Sequence, residues 1–122
     1  GIAGVQRLLA LLVPPTAVFC YNDATAIGAM RAARMAGLRV PDDLSIVGFD
    51  DIDLARHLEP PLTTVAQPKR LMGQTAVEMI LRLLSDAGQP DAADRPGVED
   101  CVLPSQLVVR ESTSTFRAAD PL

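Results

Sequence analysis

Three short apolar runs, each closed by polar residues and tied to its neighbours by helical pattern, constrain this chain more than any other feature. The runs are "TAVFC" at residues 16–20, "SIVGF" at 45–49 and the stretch 62–66 within "EPPLTTVAQ". Ile2, Val5, Leu8, Leu9 and Leu12 recur at helical spacing over residues 2–12, and Pro14-Pro15 stop that helix. "ATAIGAMRAARMA", residues 24–36, is a second helix, rich in Ala and Met, ending at Gly37, which suits a left-handed stop. Pro68 opens a third helix over residues 68–86, whose wide apolar stripe includes Leu71, Met72, Met79, Ile80 and Leu83. Strand, helix, strand, helical turn, strand, helix is the rhythm of crossover connections. The predicted fold class is therefore α/β, a parallel sheet with flanking helices.

The rest of the chain fills in around this frame. Residues 51–58 predict one or two helical turns, with Ile52, Leu54, Ala55 and Leu58 as a broken stripe. Gly, Pro, Ala and Asp dominate residues 85–100, which predicts a mobile solvated loop. "LVVRES" then predicts a last strand, and residues 114–122 a disordered tail, so a single domain spans 1–113. The first helix has no strand before it, although the rhythm expects one. A piece of a larger architecture is expected.

Bulk properties exclude several classes. Apolar residues make up 48% of the chain, but no run approaches the ~18 residues of a membrane span. "GIAGVQRLLALLVPP" lacks the basic start and small-residue cleavage site of a signal peptide, so a cytoplasmic location is expected. The net charge is −4 without a Lys/Arg cluster, which argues against direct nucleic-acid binding by these residues. Cys20 and Cys101 lack metal or redox spacing and are expected as free thiols, Cys20 buried. With one His in the chain, no zinc site and no other cofactor is expected.

Ligands of open parallel α/β sheets bind beyond the carboxyl ends of the strands. Asn22-Asp23 follows the first strand, Asp50-Asp51 the second and Gln67 the third, so three polar clusters fall on one predicted rim. A carboxylate accepts two hydroxyl protons at once, while Asn and Gln both donate and accept. The combination suits a hydroxyl-rich ligand, with Phe49 and Tyr21 as the nearby aromatic surfaces. Simpler roles stand beside this one. Asn22 or Asp23 can cap the following helix, Asp51 can start the turn at "IDLARHL", and Gln67 can be a plain strand end. His57 reads as a surface or interface residue. Lys69-Arg70 lie in the first turn of a helix, where the dipole disfavours cations.

Catalytic motifs are missing: there is no G-x-S-x-G, no glycine-rich phosphate loop and no H-E-x-x-H. No enzymatic activity is expected. A phosphorelay receiver would use Asp23, Asp50 and Asp51 with Lys69 around Mg²⁺, but the third strand ends in Val65-Ala66-Gln67 where such a site needs Ser or Thr.

In order and in spacing, "TAVFCYND", "RVPDDLSIVGFDD", "PPLTTVAQP" and "GQTAVEMI" resemble the C-terminal part of LacI/GalR-family transcriptional regulators. The resemblance runs from the first helix to about residue 110. It implies part of a type I periplasmic-binding-protein-like effector domain, with a small-molecule cleft between two lobes. Asn22 and Asp23 match the family's "ND" pair near the effector, Phe49 and Asp50 match its "G[FY]D" segment, and Gln67 matches the Gln at the crossover into the other lobe. The helix 24–36, with Ile27 and Arg31, and the segment 51–58, with Leu54 and Leu58, match places where the family dimerises. The implied partners are a carbohydrate-like effector, a second copy of the chain, and operator DNA through a helix-turn-helix headpiece absent from these residues. A stand-alone sugar-binding module of a transport system is the alternative, to be distinguished by what the gene encodes upstream of Gly1.

Overall fold

In the computed structural model, residues 1–86 and 100–115 are described. They divide into two compact units, Gly1–Ala66 with Gln106–Leu122, and Gln67–Ser105. The elements of the first unit are α1 (Ile2–Leu9), β1 (Ala17–Phe19), α2 (Asp23–Met35), β2 (Ser45–Phe49), a 3-10 turn (Asp53–His57), β3 (Thr63–Ala66) and β4 (Gln106–Val108). The second unit holds α3 (Lys69–Asp86). Apart from residues 85, 86, 100, 114 and 115, the loop expected over 85–100 and the tail expected over 114–122 lie outside the described residues. Residues 85 and 86 close α3, and Ser114 is bonded to the body of the unit through Ser45 Oγ, 3.2 Å from its N–H.

The four strands stand in the order β1-β2-β3-β4. β1, β2 and β3 are parallel, as the crossover rhythm predicts, with Phe19 opposite Val47 and Phe49 opposite Val65. β4 departs from the rule and runs antiparallel to β3, with Ala66 opposite Gln106. The reason is topological. The chain leaves the sheet at Ala66, passes through the second unit, and re-enters at the same end of the sheet, so it must run back along β3.

The core lies between the sheet and α2. Ala26, Ala29, Ala32 and Ala33 form its helical side, against Leu44, Ile46 and Leu62. Small side chains let the helix approach the sheet closely, and burying each of the larger three contributes about 1.5–3 kcal/mol. α1 packs on α2 through Val5, and Gly28 makes that approach possible: a Cβ there would stand 3.1 Å from Gly1 Cα and 3.2 Å from Ile2 N. α2 stops as expected. Gly37 takes φ +76°, and the N–H groups of Gly37 and Leu38 donate to Arg34 O (3.1 Å) and Ala33 O (2.9 Å), closing the helix end.

β1 corrects one sequence expectation. The apolar run "TAVFC" implies a buried strand, but Ala17 and Phe19 are exposed, Phe19 at 65%. In this chain β1 lies at the sheet edge, and only its Val18 face meets the core. An apolar run cannot by itself distinguish a strand covered on both faces from one covered on one.

Candidate functional site

The register of the parallel strands builds the rim. β1 and β2 run in the same direction with Phe19 opposite Val47, and Asn22 and Asp50 each follow the carboxyl end of their strand. The Asp50 N–H donates to Val65 O at 2.9 Å, continuing the β2–β3 ladder to the last residue of the run. Asn22, Phe49 and Asp50 are all partly exposed at this edge of the first unit. Gln67, one residue past β3, belongs to the second unit, where it lines a hollow of about 400 Å³ with Met72, Thr75 and Cys101.

The backbone at Asp50 and Asp51 is unusual. Both residues have positive φ, +111° and +48°. Such conformations cost about 1–3 kcal/mol each for side chains other than Gly, and they persist only where surrounding structure enforces them. Strain of this kind concentrates at ligand sites, which singles out Asp50 within the rim.

The adjacent polar residues divide into different roles. Asn22 is the cap of α2, its Oδ1 accepting from Thr25 N–H at 2.8 Å. Asp23 is enclosed within the first unit. It is 0% exposed, and both its oxygens serve the chain: Oδ1 accepts from Thr64 Oγ1 and Oδ2 from Ile52 N–H at 2.9 Å. Gly48 exists to admit this carboxylate, since a Cβ there would lie 2.1 Å from Asp23 Oδ1. Asp51 also departs from expectation. The 3-10 turn begins after Ile52 without a side-chain cap, and Asp51 instead pairs with Arg110, Oδ1 to NH2 at 2.6 Å. Its left-handed backbone and a guanidinium beyond β4 draw it away from the helix-start role.

The same bonds bear on the receiver reading. Asp23 and Asp51 are committed to Thr64, Ile52 and Arg110. Among the described residues, no group of three His, Cys, Asp or Glu is arranged to hold a metal ion.

Two residues after β4 have roles that no sequence pattern indicates. Arg110 donates to Asp51 Oδ1, to Leu62 O through NH1 at 2.8 Å, and through its backbone N–H to Thr63 Oγ1 at 2.9 Å. Ser112 is fully buried between β2 and β3, its Oγ donating to Ile46 O at 2.6 Å and accepting from Thr63 N–H at 2.8 Å. Both partner residues many tens of positions away, so no local pattern marks them. Elsewhere on the first unit, Ile27, Arg31 and Leu58 line one hollow of about 470 Å³, while Leu54 is 51% exposed on the 3-10 turn. Cys20 is buried and Cys101 exposed, both free. Burial pushes the Cys20 thiol pKa up. No helix among the described residues is long and apolar enough to cross a membrane.

Comparison with known proteins adds the following. A family model described as a periplasmic binding protein-like domain matches residues 2–113. The chain is 45% identical over 117 residues to the ribose operon repressor of Haemophilus influenzae, covering 96% of this chain and 33% of that protein. It is 44% identical over 113 residues to the HTH-type transcriptional repressor CytR of Escherichia coli, covering 93% of this chain and 31% of that one. It thus spans about a third of the length of these curated relatives. Among solved structures, it resembles a LacI family transcriptional regulator from Enterococcus faecalis with bound ribose (TM-score 0.79, 33% identity, 95% of this chain and 40% of that one). It also resembles a lac repressor dimer bound to operator and an anti-inducer (TM-score 0.75, 37% identity, 92% and 36%).

Proposed function

This chain belongs to the LacI family of transcriptional regulators, as part of their periplasmic-binding-protein-like effector domain, and we propose that it contributes the Asp50 side of a carbohydrate-binding cleft. Asp50 is the principal acceptor for ligand hydroxyls. Asn22 supplies its amide beside it and Phe49 an apolar surface. Asp23, given its burial, supports the site without touching ligand. The observation that carries this reading is the strained left-handed backbone of Asp50 at the carboxyl end of a parallel strand.

The proposed ligand class is a small sugar. A repressor named for the ribose operon and a regulator holding ribose stand among the similar proteins, which makes ribose the first probe. The solved structure of a CelR–cellobiose complex, 35% identical with a TM-score of 0.79, makes cellobiose the second. Operator binding is assigned to a helix-turn-helix part outside these residues, in a cytoplasmic homodimer. Dimerisation uses the hollow lined by Ile27, Arg31 and Leu58, with Leu54 beside it.

The test is calorimetric titration of the regulator that contains this chain. Asp50→Ala is expected to weaken ribose binding by about 100-fold, because a desolvated polar site loses its charged acceptor, while operator binding in the absence of sugar stays intact. A variant that binds ribose as the wild type does would refute the assignment of Asp50. A wild-type protein that titrates with neither sugar would refute the carbohydrate class.

A further inference from the structure

We propose that Arg110, acting through Asp51, is a positioning residue that holds Asp50 in its ligand-competent left-handed conformation; this rests on the reading of Asp50 given above. Three contacts run along the turn of two successive positive-φ residues, Asp50 and Asp51. Before it, the Asp50 N–H is held by Val65 O. After it, the Ile52 N–H is held by the buried Asp23 carboxylate. Between them stands the Asp51–Arg110 pair at 2.6 Å, the only one of the three made by a side chain of the strained turn itself.

Arg110 is built for this task. Its other contacts go to the start of β3: NH1 to Leu62 O and the backbone N–H to Thr63 Oγ1. The guanidinium is therefore anchored on the sheet before it reaches Asp51. The two side chains of the pair are only 16% and 21% exposed, so solvent screens it far less than the exposed Arg39–Asp42 pair, whose side chains are 71% and 60% exposed. A planar fork spanning a carbonyl and a carboxylate is a geometry that Arg provides and Lys cannot reproduce. Removing the pair withdraws the Asp51 side-chain contact from the turn, and left-handed φ at two non-glycine residues then relaxes towards ordinary values. Asp50 would move off the position from which it meets ligand hydroxyls. Losses of binding from such displacement reach about tenfold or more for a small shift.

The experiment uses the full regulator and two independent readouts. Arg110→Met keeps the aliphatic stem and removes the donors; Asp51→Ala removes the acceptor from the other side. Asp51→Asn keeps an acceptor oxygen. Glu111→Gln is the control, since the Glu111 contact to Pro61 runs through the backbone. The first readout is amide hydrogen exchange without ligand. Arg110→Met and Asp51→Ala should lose protection at the Asp50 and Ile52 amides while the buried amides of α2 stay protected. The second is ribose affinity, expected to fall about tenfold in both variants, less in Asp51→Asn, and by no more in the double variant than in either single one. A merely structural role would lower protection throughout and leave the affinity of the folded fraction unchanged. Unaltered exchange at Asp50 and Ile52 in either variant overturns the inference. If that exchange quickens locally while the wild type binds no sugar, the positioning role stands and the carbohydrate reading fails.

Discussion

At the scale of single residues, the most economical position in the chain is Gly48. It sits in a strand interior, where Gly is ordinarily a weakness, because the neighbouring space belongs to the Asp23 carboxylate. Gly48→Ala forces either strand or carboxylate to shift, with Leu62 3.0 Å away on the other side. The expected cost is about 1–3 kcal/mol of stability, read as a lowered thermal midpoint. Some of this is legible in the sequence. The paired acids after "SIVGF" marked a polar strand end, a cap was expected at Asn22 or Asp23, and Cys20 was expected as a buried thiol. The division of labour within each acidic pair was not. Composition treats Asp23 and Asp50 alike, yet one is wholly enclosed and the other stands at the rim; only the packing of Thr64 and Gly48 around Asp23 separates them.

At the scale of elements, periodicity marked where helices and strands lie because it reports which face of a segment is covered. α2 ended at Gly37 and three strands lay in parallel for that reason. What periodicity does not carry is pairing across long separations. Ser112 illustrates the point: one hydroxyl joins β2 to β3 by bonding Ile46 O and Thr63 N–H, and its own carbonyl accepts from Ile46 N–H at 2.8 Å. A serine in "VVRESTS" looks like any surface serine. Ser112→Ala deprives a buried acceptor and a buried donor of their partner. A loss of about 1–3 kcal/mol is expected in denaturant unfolding, without any effect on the Asp51–Arg110 pair.

At the scale of the whole molecule, the first unit carries a hollow on the flank of α2 whose lining includes Ile27, Met30 and Leu58. Leu58→Glu is expected to shift the regulator from dimer to monomer in analytical ultracentrifugation while ribose affinity per chain is kept, because the rim at Asp50 is built from different residues. A dimer that survives the substitution would place the self-association surface elsewhere. The return of the chain along β3 has a consequence of its own. Ala66 and Gln106 are cross-strand partners, so everything between them is spliced in at a single seam between adjacent strands. The seam sets the one condition that the inserted chain must meet, which is that it departs and returns at paired positions of neighbouring strands.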